Sequence, residues 1–296
     1  MDKTHTKLFR RVLIQLPFYL LALTMIFPYY WMTIGAFKPS NEVVKYPPTF
    51  VIEHPTLANY YNPSKSTVSG GLPGLFQYFE SVPLRFGTFF LNSVIISSSI
   101  TILSLIVASA AAYVLAKHDL PEGHVMFLAI LASMMIPWQV TLIPNFLLVK
   151  SLGWLNTYWG YIIPALPKAF AVFFLRQYML SLPDDLLDAA RIDGASEIRI
   201  WWQIILPLVK PALAAMTIFI ILNEWNNFVW PLIVAQKDNM ATLTVAISRL
   251  LTGFPGADRQ GVLMAASLLA SIPTVIVFLV FQKHFIKGIA LTGLKS

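Results

Sequence analysis

The side chains in this 296-residue sequence that offer chemistry gather in two places. One is the run Asn223, Glu224, Trp225, Asn226 and Asn227, set in an otherwise apolar stretch. Amides donate to and accept from hydroxyls, and an indole gives a flat apolar face to a sugar ring, so the run suits a path for a carbohydrate. The same groups also serve as hydrogen-bonding glue between membrane helices. Helical spacing puts Asn223 on one face with Asn226 and Asn227. Lys168 is the other charge inside an apolar stretch. With Glu224 it suits an ion pair, formed within this chain or with a partner subunit, because buried charges are usually matched; a cation waiting for an acidic sugar is the alternative. Pro137, Pro144, Pro164 and Pro167 interrupt helical hydrogen bonding, which either kinks a helix or lets it line a cavity, and this makes Trp138 and Gln139 candidates for the same path.

Other chemistry is excluded by what the chain lacks. It has no cysteine, and its histidines (His5, His54, His118, His124 and His284) show no pair spacing that would hold a metal, so no metal site is expected. There is no Gly-Lys dipeptide, hence no phosphate-cradling Walker A loop. No cluster of catalytic groups converges at a membrane interface, so the chain is not expected to be an enzyme.

The elements that must position these residues are membrane spans. Only 12% of the residues are charged and 57% are apolar, with a mean hydropathy of +0.67, far from an ordinary soluble domain. Charge-free stretches run over Val12 to Phe37, Phe86 to Ala116, Val125 to Val149 and Gln260 to Gln282, each enough to cross a bilayer core of about 30 Å. Two more spans, about Tyr158 to Tyr178 and Pro211 to Ala235, carry Lys168 and Glu224. The expected fold is therefore all-α, a polytopic membrane protein with six transmembrane helices. The parts are a cytoplasmic N-terminus at 1–11, a retained first helix at 12–37, an extracytoplasmic loop at 38–87, helices two to six within 88–282, and a cytoplasmic tail at 283–296. Segments assigned to the inside hold 12 Lys and Arg against 8 outside, which places both termini in the cytoplasm. The net charge of +7 thus reports orientation in lipid, and no nucleic-acid partner is expected. The loop at 38–87 holds seven of the twenty prolines and the cluster SGGLPG at 69–74, and reads as irregular, either touching a partner or serving as a linker.

The second chemical locus, 181–215, lies between the fourth and fifth spans. Pro183 and Asp184 suit a helix start, Asp184 and Asp185 complement the positive end of its dipole, and Leu186, Leu187 and Ala190 line one side. Gly194 stops this helix. Ser196 caps a second one, Glu197 to Leu206, with Ile198, Trp201, Trp202 and Ile205 at helical spacing and Pro207 ending it. Such a segment lies in the lipid interface or lays its apolar face on a partner. Ala189, Ala190, Gly194 and Ala195 permit close approach, and the mixed charges Asp188, Arg191, Asp193, Glu197 and Arg199 lack a lysine-rich lipid-binding face, which favours a protein partner.

The string DAARIDGASEIRIWWQIILP resembles the EAA loop of ABC importer permeases, whose pattern is EAA, three residues, Gly, nine residues and I-x-L-P. Asp188, Ala189, Ala190, Gly194, Leu206 and Pro207 fall on its fixed positions, with aspartate where the family usually has glutamate. LNSVIISSSI, SAAAYVLAK, MIPWQVTLIPNFLLVKSLGWLNTYWGYIIPAL, FFLRQYM, WNNFVWPLIV and KGIALTGLKS resemble the second membrane subunit of the carbohydrate-uptake branch, maltose and oligosaccharide importers among them. The resemblance implies a type I ABC importer permease fold in a bacterial or archaeal cytoplasmic membrane. It also implies a coupling role for Asp188, Ala189, Ala190, Asp193, Gly194, Ala195, Leu206 and Pro207. The partners it implies are a second homologous permease, two cytoplasmic ATPase subunits that hold ATP and Mg, and an extracytoplasmic solute-binding protein delivering sugar. No cofactor is expected in this chain. An ion-coupled secondary transporter or channel for a small polar solute is the alternative, and it would call for acidic or histidine relays in several spans.

Overall fold

The computed structural model describes residues 3–61, 74–76, 86–253 and 259–292, and the structured elements among them are helical, with no strand. The histidines at 5 and 284, most of the SGGLPG cluster and the end of the C-terminal tail lie outside the residues or side chains described. Two compact units are formed, one from 1–86 with 247–272, the other from 87–246 with 273–296.

The first unit is built on α1 (Lys3–Ala36), whose apolar flank from Val12 to Tyr30 is exposed in the manner of a lipid-facing helix. The chain after it, as far as residue 61, is irregular apart from one short helix, and it is fastened by side chains. Lys38 is buried and donates to the Thr49 carbonyl at 2.5 Å and to Thr49 Oγ1 at 2.7 Å, with Glu42 Oε1 at 3.6 Å from the short helix α2 (Ser40–Val43). The amide of Asn59 donates to the carbonyls of Ala36 (3.0 Å) and Lys38 (2.7 Å), satisfying groups that the end of α1 leaves open. A Cβ on Gly261 would sit 2.4 Å from Asn59 Oδ1, so only glycine allows that amide its place. Burial alone would raise the Glu42 carboxyl; the backbone N–H groups of Glu53 and His54, with Lys38 and His54 alongside, outweigh this and hold it below the usual carboxylate range. Glu42, Glu53 and His54 bring their ligand atoms within 4.8 Å of one another, but Lys38 and Lys45 already answer the two carboxylates.

The second unit carries both chemical loci. Its elements are α3 (Phe86–Lys117), α4 (Gly123–Ser133), α5 (Trp138–Ser151), α6 (Tyr158–Ile162), α7 (Ala169–Leu180), α8 (Asp185–Ile192), α9 (Glu197–Ile200), α10 (Leu206–Leu208), α11 (Lys210–Trp225) and α12 (Val229–Val234). The units share two further helices, α13 (Leu243–Gly253) and α14 (Arg259–Thr292). Among the described residues three helices are long and apolar enough to cross a bilayer unbroken: Ile14–Ala36, Phe86–Lys117 and Gln260–Gln282. Three bent pairs among the described residues pass the same test, Gly123–Ser133 with Trp138–Ser151, Tyr158–Ala165 with Ala169–Leu180, and Glu197–Leu208 with Lys210–Trp225, so the total reaches six when each pair counts as one.

The bends correct the sequence reading in four places, one of them the span Tyr158 to Tyr178, which turns by 46° between Ala165 and Ala169. The stretch Val125 to Val149 is not one clean span: it turns by 96° between Ser133 and Trp138, where Pro137 adopts φ −59° and ψ 132° and disfavours helix in the residue before it. Pro207 does not end the segment from Glu197; the chain winds on to Leu208 and bends by 80° into α11. Just ahead of the proline, Trp201–Ile205 widens into a π turn, the local adjustment expected where a ring removes an N–H and crowds the preceding turn. The span from Pro211 to Ala235 is likewise broken, α11 stopping at Trp225 and α12 starting at Val229.

Fastening within this unit comes from α3. Asn92 is buried, donating to the carbonyls of Asn239 (2.9 Å) and Ala241 (3.0 Å) and accepting from the Tyr158 hydroxyl (2.8 Å), while Ser93 Oγ accepts from Leu243 N–H (2.8 Å).

Candidate functional site

The breaks in the spans are where the polar residues meet. Lys168 sits in the break ahead of α7, its backbone at φ −117° and ψ 82°, and its carbonyl opens that helix by accepting from Ala171 and Val172. Glu224 lies in the last turn of α11, where the helix dipole disfavours an anion. The two meet directly, Nζ to Oε1 at 2.6 Å, and the Asn227 amide reaches Glu224 Oε2 at 3.4 Å. The pair therefore forms within this chain. The Glu224 side chain is 5% exposed and that of Lys168 26%, so the ammonium is the member open to its surroundings.

These surroundings are a cavity of about 930 Å³. Of the residues expected on the path, Trp138, Lys168, Asn223, Glu224, Asn226 and Asn227 line it; Gln139 and Trp225 do not. Gln139 is exposed elsewhere on α5, and Trp225 is buried with its ring edge to Phe90 at 5.7 Å. The asparagines are also placed differently from their helical spacing: α11 has ended, Asn226 donates back to the Leu222 carbonyl at 2.8 Å, and Asn227 lies beyond the helix. The wall gains Thr141, Asn145, Phe219, Phe228 and Trp230, which the sequence reading did not single out. The Trp230 indole is fixed by donating to the Gly160 carbonyl at 3.1 Å. Among the described residues lining the cavity, Lys168 and Glu224 are the only charges; the rest of the polar lining is four asparagines and a threonine, interleaved with aromatic rings.

At the other locus α8 ends in a Schellman turn: Gly194 N–H donates to Arg191 O at 3.0 Å and Ala195 N–H to Ala190 O at 2.9 Å, with Gly194 at φ +78°. Ser196 then caps α9 by accepting from Arg199 N–H. The apolar face differs from the expected one. Ile200, Ile205 and Val209 are buried, at a spacing of five and then four that the π turn imposes, while Leu186, Ile192, Ile198 and Trp202 are exposed. Asp188, Ala189, Asp193 and Gly194 are exposed with them, Leu206 is half-buried and Pro207 exposed.

Charge ties this segment to the end of α3. Glu197 accepts from the Tyr113 hydroxyl and from Arg191 Nε at 3.0 Å, with His118 Nε2 at 3.2 Å, and Arg191 also reaches Asp188 at 3.1 Å. Lys117 Nζ meets Asp184 Oδ1 at 2.6 Å. The Tyr113 hydrogen bond first, and then Arg191, hold the Glu197 carboxyl below the usual range against the opposing effect of burial.

Broken helices around a cavity of asparagines, a threonine and aromatic rings, with a charged and apolar elbow in the same unit, suit the passage of a polar solute through a membrane. The family described as the binding-protein-dependent transport system inner membrane component matches residues 105–291, and the chain belongs to it. It is 38% identical to an arabinooligosaccharides transport system permease protein of Halalkalibacterium halodurans over 96% of each chain. It is 30% identical to a lactose transport system permease protein of Rhizobium radiobacter over 91% of each. In fold it matches a chain in the crystal structure of a bacterial ABC transporter involved in the import of the acidic polysaccharide alginate, with a TM-score of 0.78, 22% identity, and coverage of 96% of this chain and 99% of that one. The chain is thus an integral inner-membrane component of a binding-protein-dependent transporter, with the ABC importer permease fold.

Proposed function

We propose that this chain is one of two permease subunits of an ATP-driven importer for oligosaccharides, forming half of the translocation path. The cavity carries the reading: asparagine and threonine groups suit hydroxyls, and Trp138, Trp230, Phe219 and Phe228 suit the apolar faces of sugar rings. Relatives named for arabinooligosaccharide and lactose transport support it.

The segment 188–207 couples the path to ATP hydrolysis in two cytoplasmic ATPase subunits, which hold the ATP and Mg. Asp188, Ala189, Asp193 and Gly194 offer an open polar and small-residue surface at the elbow, flanked by exposed Ile192 and Ile198. Ala190, Ala195, Leu206 and Pro207 shape that elbow rather than cover it. A second homologous permease completes the path, and an extracytoplasmic solute-binding protein delivers the sugar. Both termini lie in the cytoplasm of a bacterial or archaeal cell, and the apolar flank of α1 faces lipid. The Lys168–Glu224 contact supports a carbohydrate path over ion coupling, since it ties up the two charges that the described cavity wall holds.

Reconstitution of the complete importer in proteoliposomes tests this. Uptake of arabinotriose or lactose is expected to require ATP hydrolysis and to vanish when 188–207 is scrambled. Uptake that proceeds without hydrolysis, or survives the scramble in an assembled complex, overturns the reading.

A further inference from the structure

The wall of the cavity has an unusual electrical design. Neutral amides and one hydroxyl are set among aromatic and aliphatic side chains, and its two charges cancel at a distance of 2.6 Å. The carboxylate is the hidden member, 5% exposed and braced by Asn227 at 3.4 Å, and the ammonium is the accessible one at 26%. An anion arriving in the cavity meets a cation whose charge is already spent on a neighbour. To pair with Lys168 the anion must pull it from Glu224, and Glu224 would then be a buried carboxylate with one amide for company. If instead it leaves the pair intact, its own carboxylate sits desolvated against asparagines, a threonine and aromatic rings. A neutral polyol meets neither penalty, because amides and a hydroxyl satisfy hydroxyls without any charge being displaced.

We propose that the Lys168–Glu224 pair is a charge filter that makes this cavity select neutral oligosaccharides and reject those bearing uronate groups. The inference rests on the oligosaccharide reading and assigns the chemical class that the path accepts. Glu224 acts as the positioning residue of the filter: it neutralises Lys168 from behind and touches no substrate itself. Removing its charge alone turns the wall cationic and converts the filter into an acceptor of acidic sugars.

The test uses the complete importer in lipid nanodiscs without its solute-binding protein, so that delivery does not decide the outcome. Equilibrium dialysis with radiolabelled arabinotriose, lactose, maltotriose and trigalacturonate measures binding to the wild type, E224Q and the swapped pair K168E/E224K. At least one neutral sugar is expected to bind the wild type at least tenfold tighter than trigalacturonate. E224Q should bind trigalacturonate at least tenfold better than wild type does, an advantage that added salt erodes, and the swapped pair should keep the wild-type preference. Trigalacturonate binding as tightly as the neutral sugars in the wild type overturns the filter while leaving the oligosaccharide reading in place. So does an assembled E224Q that gains nothing. Should E224Q fail to assemble, the wild type and the swapped pair decide, and loss of the neutral preference in the swapped pair counts against the proposal. Absence of binding by every sugar overturns the oligosaccharide reading itself.

Discussion

Glu224 and Glu197 are both carboxylates beside a cation at a helix end, and their surroundings are opposite. Glu224 is shut away with one ammonium at 2.6 Å and one amide at 3.4 Å. Glu197, 45% exposed at the start of α9, shares Arg191, His118 and the Tyr113 hydroxyl, with water at hand to replace any of them. A desolvated pair behaves as a single object, in which removing one member strands the other; an exposed network is redundant, and each tie in it contributes little. The cavity wall is therefore stiff in its charge state, and the cytoplasmic elbow is adjustable in its contacts.

The sharpest way to break this contrast is Lys168→Met. Glu224 is left buried without a cation, and the assembled complex should lose about 3–5 kcal/mol, read as thermal unfolding in detergent. Glu224→Gln should cost clearly less, because the lysine it frees is a quarter exposed and reaches water in the cavity. Lys168→Met combined with Glu224→Leu should recover most of the loss, as replacement of both members by apolar groups is often near neutral. Equal effects of the two single changes would mean that the cavity wall is no drier than the elbow.

Next in size is Gly194→Ala. A Cβ there meets open space, so the effect is purely the strain of φ +78°, about 1 kcal/mol, localised to 185–200 and visible as faster amide hydrogen exchange. Glu197→Gln should shift stability by less than about 1 kcal/mol at moderate salt, and by nearly nothing at 1 M salt. A large salt-independent loss would place Glu197 in the same class as Glu224. The smallest effect is that of pH. The folded carboxyl of Glu197 lies below its unfolded value, so its contribution is complete above the ordinary carboxylate range near 4.3 and is lost as pH falls through the lowered folded value. Exchange protection factors over 185–200 should thus hold from pH 8 to about pH 5 and decline only below the carboxylate range.

The elbow was the more legible of the two regions. Gly194 and Ser196 act through turn and cap chemistry that depends on neighbours in sequence, and the structure places them as that chemistry requires. The inward face was misjudged because the π turn adds a residue to the repeat, exchanging the expected Ile198 for Ile200. In the spans, scarcity alone pointed to Lys168 and Glu224. Thr141, Asn145 and Trp230 carry no such signal: each is a single residue among apolar neighbours, and only the bends bring them to one cavity. The bends are silent in a charge count, which makes Val125 to Val149 one stretch; Pro137 marks where it is interrupted, but a proline does not give the 96° turn.

That bend bears on how the chain is inserted during synthesis. The halves α4 and α5 hold 11 and 14 residues, about 16 and 21 Å at a rise of about 1.5 Å per residue, and neither crosses a hydrocarbon layer of about 30 Å. Neither is a finished spanning helix by itself, because each ends at the bend around Met134–Pro137, inside the apolar stretch, where non-helical backbone is tolerated only against protein or a cavity. The right-angled pair is held by its neighbour, with Phe127 stacked on Phe173 at 6.2 Å and Arg176 over the Phe127 ring at 4.0 Å. Stable insertion of α4 and α5 is therefore expected to depend on α7, and a chain truncated ahead of Ala169 should be extracted from membranes by alkali more readily than one truncated after Leu180.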